Sequence, residues 1–319
     1  MTLPDFVEPL GPGLYAIDTG FIRPLYDAAY LVVSDGRAAF IDTGTNHALP
    51  RHLAALDALR VAREAVDYVM PTHVHLDHAG GAGALMRELP NATLAIHPRG
   101  ERHMVDPAAL YEGALAVYGA EVMARDYGQL VPVPAERVRV LRDGDAVTVG
   151  SRTLVAADTP GHARHHHCYW DEASRGWFTG DTFGISLREF DRPGTGAWVG
   201  PSIVPSQFDP VALRASIARV VARDPACAYV THYGRVDDPS ARAAPMLALM
   251  DRMIEIGRAQ RSAPRERLTR EFEALYLDAL AAHGVTDRDA TAALVAVDIE
   301  LAVQGLSVWL GREVKENKS

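Results

Sequence analysis

The sequence predicts a layered α/β domain over residues 1–245, followed by a helical C-terminal extension over residues 246–319. Three observations predict it. Short apolar runs alternate with stretches of helical periodicity through the first part. Several of those runs end at once in a His or an Asp, as strands do when their ends line a shared crevice. After Pro245 the apolar spacing turns purely helical.

Taken in order, Leu14–Asp18, Ala29–Ser34 and Ala38–Asp42 are β-rich runs separated by Gly, Pro or Asp-Gly breaks. Asp35-Gly36 sits between two of them and signals a hairpin. Leu49, Leu53, Leu56 and Leu59 repeat at helical spacing, which predicts a helix over about residues 48–59. Val66–Met70 reads as a short strand, residues 106–126 as a helix, and Val138–Leu141, Thr153–Ala157 and Trp177–Phe178 as strands. Asp209-Pro210 opens a helix to about residue 223, with Asp as cap and Pro at the first helical position. Cys227–Val230 is another short strand. In the extension, Leu268, Phe272, Leu275 and Ala279 form one helical stripe and Val295, Ile299, Ala302, Leu306 and Trp309 another. Gly284 ends the first helix, and Thr286 with Asp289 resembles a capping box for the second.

Composition removes several function classes. Lys occurs only at 315 and 318, so no internal Lys is present for a Schiff base and no Gly-Lys-Ser/Thr phosphate loop exists. There is no Gly-x-Ser-x-Gly nucleophile elbow. Cys168 and Cys227 are too few for a disulfide framework or a four-cysteine zinc site and read as buried packing residues. The formal charge of −9 exerts no general pull on nucleic acid. No uninterrupted apolar run reaches about 18 residues, so no membrane span is expected. The N-terminus lacks the pattern of a secretory signal, and a cytoplasmic location is expected.

The chemistry must then rest on His and carboxylates. Asp67-Tyr-Val-Met-Pro-Thr-His73, Thr153-Leu-Val-Ala-Ala-Asp-Thr-Pro-Gly-His162, Trp177-Phe-Thr-Gly-Asp181 and Ala228-Tyr-Val-Thr-His232 share one grammar, an apolar run closed by a ligand-type side chain. His73 and His75 are two residues apart, so an extended backbone points both the same way and they can bind one ion. Asp77 and His78 follow where Ala79-Gly80-Gly81 begins a tight entry into a helix, which turns them toward a second ion. Imidazole with carboxylate and no thiolate suits zinc, iron or manganese at a working site.

His73-x-His75-x-Asp77-His78 resembles the signature of the metallo-β-lactamase superfamily, and Thr-Pro-Gly-His162, Phe-Thr-Gly-Asp181 and Thr-His232 follow in that family's order. The resemblance implies a four-layer αββα sandwich with the site along one sheet edge. It further implies that His73, His75 and His162 hold one metal, that Asp77, His78 and His232 hold the other, and that Asp181 bridges them. Asp42, in Ile-Asp-Thr-Gly44, matches a family position that supports the metal loop. Within the family the nearest branch is that of glyoxalase II, which writes its second motif Thr-Pro-Gly-His-Thr-x-Gly-His. Here His165 replaces the Gly of Thr159-Pro-Gly-His162-Ala-Arg-His165-His166-His167, and His166 falls on the second His. Thr231-His232-Tyr233-Gly234 replaces that branch's Gly-His-Glu-Tyr-Thr ending.

The expected protein is a hydrolase with two divalent ions, zinc first and iron or manganese as alternatives. A metal-bridging hydroxide would attack an ester, thioester or lactone of a small-molecule substrate. Asp77 would orient that nucleophile, and Tyr233 is a candidate proton donor to the leaving group. The competing readings are an iron-dependent sulfur dioxygenase on the same fold and a non-catalytic metal-binding module. The complete ligand set favours the hydrolase. Residues 100–135 and 183–208, with Tyr111, Tyr118 and Trp198, are the candidate substrate segments. The helical extension is expected to cover the site or to form a homodimer contact, and neither nucleic acid nor membrane is expected as a partner. Arg258, Arg261, Arg265, Arg267 and Arg270 form either an anion patch or a solvated connection between helices, and the second reading is favoured.

Overall fold

The structure, a computed structural model, describes residues 2–205, 207–261 and 263–316, with side chains described as far as residue 313. The strands are β1 (Val7–Gly11), β2 (Leu14–Asp18), β3 (Ala28–Ser34), β4 (Arg37–Ile41), β5 (Val66–Met70), β6 (Thr93–Ile96), β7 (Val138–Val140), β8 (Ala146–Val149), β9 (Arg152–Asp158), β10 (His167–Asp171), β11 (Gly176–Gly180), β12 (Cys227–Val230) and β13 (Gly234–Asp237). The helices are α1 (Leu49–Leu59), α2 (Leu76–Ala79), α3 (Ala82–Glu88), α4 (Glu101–Val105), α5 (Ala108–Val122), α6 (Pro210–Val221), α7 (Pro239–Ala259), α8 (Arg265–Ala282) and α9 (Arg288–Glu316). The chain divides into two compact units. The first comprises Met1–Asp158, His165–Gly180 and Ala226–Arg235, and the second Thr159–Arg164, Asp181–Pro225 and Val236–Ser319.

The first unit carries two sheets. One runs in the order β1-β2-β3-β4-β5-β6-β7 and the other β13-β12-β11-β10-β9-β8. The period-2 alternation of each strand splits its side chains between two cores. In β3 and β4, Leu31, Ala38 and Phe40 face α1 and α3, where they pack with Leu56, Leu85 and Leu89. Tyr30, Val32, Ala39 and Ile41 face the other way and meet Leu154, Tyr169, Phe178 and Tyr229 of the second sheet. Tyr30 lies edge-on to Phe178 with ring centres 5.3 Å apart. A helical layer, a sheet and a second sheet are therefore stacked within this unit. The β3–β4 turn forms as expected, with Asp35 at φ 48° and Gly36 at φ 75°, the left-handed pair that a two-residue hairpin demands.

What positions the site is strand direction. β4, β5 and β6 run parallel, as do β11 and β12. Asp42, Thr72 and His73 thus follow neighbouring strand ends, and Thr231 and His232 follow the end of β12.

The second unit is built on α6, α7, α8 and α9. Asp209 caps α6 by accepting from the amides of Val211 and Ala212, as expected. α7 begins at Pro239 and runs through Pro245, earlier than the change of pattern at Pro245 suggested. α8 ends before Gly284, whose φ is 98°. The cap of α9 is Asp287, which accepts from the amide of Ala290, rather than Thr286. Residues 288–313 of α9 contain an 18-residue window with mean hydropathy 1.6, long and apolar enough by composition to cross a membrane. Its Val295, Ile299, Ala302, Val303, Leu306 and Leu310 are buried within the protein, the stripe of a core helix. Four of the five Arg are paired: Arg258 and Arg261 with Glu313, Arg265 with Glu300, and Arg267 with Glu271. Two of these solvated pairs join helices, that of Arg261 joins the turn after α7 to α9, and the fourth lies within α8.

Candidate metal centre

In the first unit, five of the expected ligands converge at the strand ends. His73 Nε2 and His75 Nδ1 lie 2.8 Å apart. One ligand atom from each of Asp77, His78 and His232 falls within 4.8 Å of the others. Asp77 Oδ2 lies 3.4 Å from His232 Nε2 and 3.9 Å from His78 Nε2.

The imidazoles are oriented from behind. His78 Nδ1 donates to Asp42 Oδ2 at 2.8 Å, which directs its Nε2 toward Asp77. His232 Nδ1 donates to the carbonyl of Tyr26 at 3.1 Å, with the same consequence for its Nε2. Asp42 fulfils its expected supporting role and binds more widely than expected. Its Oδ1 accepts from the Thr72 amide at 2.7 Å and its Oδ2 from the Thr231 hydroxyl at 2.8 Å. One buried carboxylate thereby ties together the segments that follow β4, β5 and β12.

The His-rich stretch is packed, not exposed. His166 is fully buried and stacks on His73 at 4.8 Å. Gly180 has no room for a side chain, since a Cβ there would lie 2.5 Å from Thr72 Oγ1 and 2.7 Å from His166 Nε2. His165 accepts from the Val74 amide at 3.4 Å and meets His75 edge-on at 5.7 Å. The His167 amide donates to the Thr72 carbonyl at 2.7 Å, and its ring packs on His97 at 4.6 Å. Both are buried packing residues.

The second unit carries the remaining two ligands. His162 is fully buried, and its Nε2 lies 3.5 Å from Asp181 Oδ2. Ser202, which carried no motif signal, joins them: its hydroxyl donates to Asp181 Oδ2 at 3.0 Å and lies 3.2 Å from His162 Nδ1. The turn before His162 needs its glycine, because a Cβ on Gly161 would lie 2.1 Å from the Leu213 amide nitrogen.

Tyr233, the candidate proton donor, follows His232 directly in the chain. It is 2% exposed and belongs to the apolar core between the sheets, with Tyr30, Phe178 and Tyr229. Of the candidate substrate residues, Trp198 is packed against Phe190 and Tyr276 in the second unit. Tyr118 ends an aromatic row in the first unit that begins at His232, one of the expected ligands. Tyr26 lies on His232 at 5.3 Å, Phe21 is near Tyr26 at 6.2 Å, Tyr127 packs on Phe21 at 5.3 Å, and Tyr118 on Tyr127 at 5.2 Å. Burial, and secondarily the charge of Asp77, raise the phenol pKa of Tyr118 and Tyr127 above the usual value, so both stay protonated. Tyr127 lies inside the expected substrate segment 100–135, whereas Phe21 and Tyr26 carry no signal in the sequence, where they stand in a loop without periodicity.

A sequence profile described as the metallo-beta-lactamase superfamily matches residues 22–232. The chain belongs to that superfamily. Among curated members, an acyl-coenzyme A thioesterase, MBLAC2 of Gallus gallus, is 30% identical over 192 residues, covering 54% of this chain and 64% of the relative. A hydroxyacylglutathione hydrolase of Aeromonas hydrophila is 27% identical over 153 residues, 48% of this chain and 45% of its own. The chain thus spans less than two thirds of the length of these relatives. The fold is also that of the superfamily member TTHA1429 from Thermus thermophilus, with a TM-score of 0.66 at 22% identity over 96% of this chain and 95% of that one.

Proposed function

We propose that this protein is a hydrolase dependent on two divalent metal ions, zinc first, that cleaves a small thioester or ester. The observation that carries the reading is the convergence of Asp77, His78 and His232 behind the Asp42 clamp, with both imidazoles oriented through Nδ1. The donor set fits metal: imidazoles and carboxylates, with His73, His78, His162, Asp181 and His232 buried, His75 and Asp77 half-buried, and no Lys among them. His73, His75 and His162 would hold one ion and Asp77, His78 and His232 the other, with Asp181 shared. When bound, the ions would supply Lewis acidity and lower the pKa of a water to about 7.

The protein's residues do the rest. Asp77 accepts from and orients the attacking water. Asp42 and the Tyr26 carbonyl fix the imidazoles so that no ligand must reorganise during turnover. The aromatic row from Tyr26 to Tyr118, together with the exposed Ile22, Leu25 and Val117, offers an apolar surface for an acyl group. The thioesterase and the hydroxyacylglutathione hydrolase among its relatives support thioester over lactone. A small cytoplasmic substrate is in keeping with this reading.

The test is a metal titration of stripped protein with hydrolysis of a panel of acyl thioesters, esters and lactones. Two ions per chain and thioester turnover that a chelator abolishes are expected. A fully loaded protein with one ion, or one that consumes oxygen with a persulfide, would replace this reading by the sulfur dioxygenase.

A further inference from the structure

Asp27 stands in the loop before β3, outside every motif of the family signature. It is 0% exposed. Its Oδ2 accepts from the Thr19 hydroxyl at 2.5 Å, while its Oδ1 has no hydrogen-bond partner among the described residues. The backbone holds it against the metal segment. The Thr19 amide donates to the Asp27 carbonyl at 2.9 Å, the Ala28 amide donates to the Thr231 carbonyl at 2.8 Å, and the Tyr26 carbonyl anchors His232. The charged groups that act on it are His232, His78 and Asp77, the same three residues whose ligand atoms converge.

A buried carboxylate with one oxygen unsatisfied is unfavourable unless a positive charge lies close by. Among the described residues, no Lys or Arg is paired with it. Burial pushes the carboxyl up to about 7 against the opposing pull of His232 and His78. The arrangement makes physical sense beside a cation held by Asp77, His78 and His232, to which Asp27 would add a second negative charge.

We infer that Asp27 is a further metal-site carboxylate, whose charge and unsatisfied Oδ1 retain the ion held by Asp77, His78 and His232. The inference rests on the two-metal reading above and adds to it a residue outside the signature.

The test compares the full chain with Asp27→Asn, each stripped of metal and titrated with zinc against a competing chelator. The Asn variant should bind its weaker zinc at least about tenfold less tightly, with the tighter zinc unchanged. Its metal-free form should melt at the wild-type temperature or above, because a desolvated carboxyl has been replaced by a neutral amide. Thr19→Val removes the hydroxyl partner and leaves the charge, so it should keep wild-type zinc affinity. Equal losses in both variants would show that the Thr19–Asp27 bond acts through structure and overturn the inference. Unchanged affinity in Asp27→Asn would overturn it as well. A wild-type protein that binds no second zinc would instead refute the two-metal reading itself.

Discussion

The behaviour of single residues at this centre follows from which ring nitrogen each neighbour holds. Asp77 differs from the imidazoles because it contributes charge as well as a donor atom. Asp77→Asn keeps the shape and a carbonyl oxygen, so metal occupancy should fall less than turnover. A loss of two to four orders of magnitude in kcat, roughly 3–5 kcal/mol, is expected. An Asn variant with both metals and near-normal turnover would show that Asp77 is only scaffolding. His52 offers a second residue-scale test, away from the ligands. It is 1% exposed, its Nε2 donates to the Thr43 carbonyl at 2.7 Å, and its Nδ1 has no partner among the described residues. Protonation would bury an unmatched N–H and a charge, and burial accordingly lowers its pKa from 6.5 to about 4. The unfolded chain takes up this proton as pH falls below about 6.5 and the folded chain resists until about 4. Stability is therefore full above 6.5 and is lost between those values, by roughly 3 kcal/mol at most. Denaturation of metal-stripped wild type and His52→Gln from pH 7 to 4 should show a smaller acid loss in the variant. Parallel curves would sink this assignment.

At the scale of elements, the sequence was most legible where pattern and packing agree. The bounds of β2, β5 and β12 coincide with the expected ones, since each is a short apolar run with sharp breaks. β10 was missed because it opens on His167, the end of a run of three histidines that reads as loop. β1 was missed because Glu8 and Pro9 interrupt its alternation. α7 was cut short in expectation because Pro245 reads as a boundary. The expected ligands follow strand ends in local motifs that fix their place, whereas Asp27, Ser202 and the aromatic row are brought in by tertiary structure alone. Helix packing yields its own test at Gly257, where an added Cβ on α7 would lie 2.3 Å from Leu306 Cδ2 of α9. Gly257→Ala should destabilise the protein by about 1–3 kcal/mol through overpacking, despite its better helix propensity. A rise in Tm would show that the two helices part at no cost.

At the scale of the molecule, the helical tail is tied to chemistry through the second unit's own contacts. Tyr276 of α8 packs on Trp198 at 5.7 Å, and its hydroxyl donates to the Pro201 carbonyl at 3.3 Å. Gly305 of α9 lies so close to Val204 that a Cβ would come within 2.5 Å of its carbonyl oxygen, and Arg312 donates to the Phe208 carbonyl at 2.6 Å. These contacts clamp both sides of Ser202, whose hydroxyl holds Asp181 and lies against His162. Deleting residues 265–319 would remove the clamp and expose the buried Met250, Met253 and Ile254 face of α7. The shortened protein should lose solubility, and whatever fraction stays soluble should bind less metal than the full chain, because two proposed ligands lose their support. Size-exclusion chromatography with elemental analysis measures both. Tyr276→Phe separates the causes: it keeps the apolar packing and removes only the bond to Pro201, so solubility should persist while zinc affinity falls modestly. A deletion that stays monomeric with wild-type metal content would show that the 198–208 loop holds Ser202 without the tail.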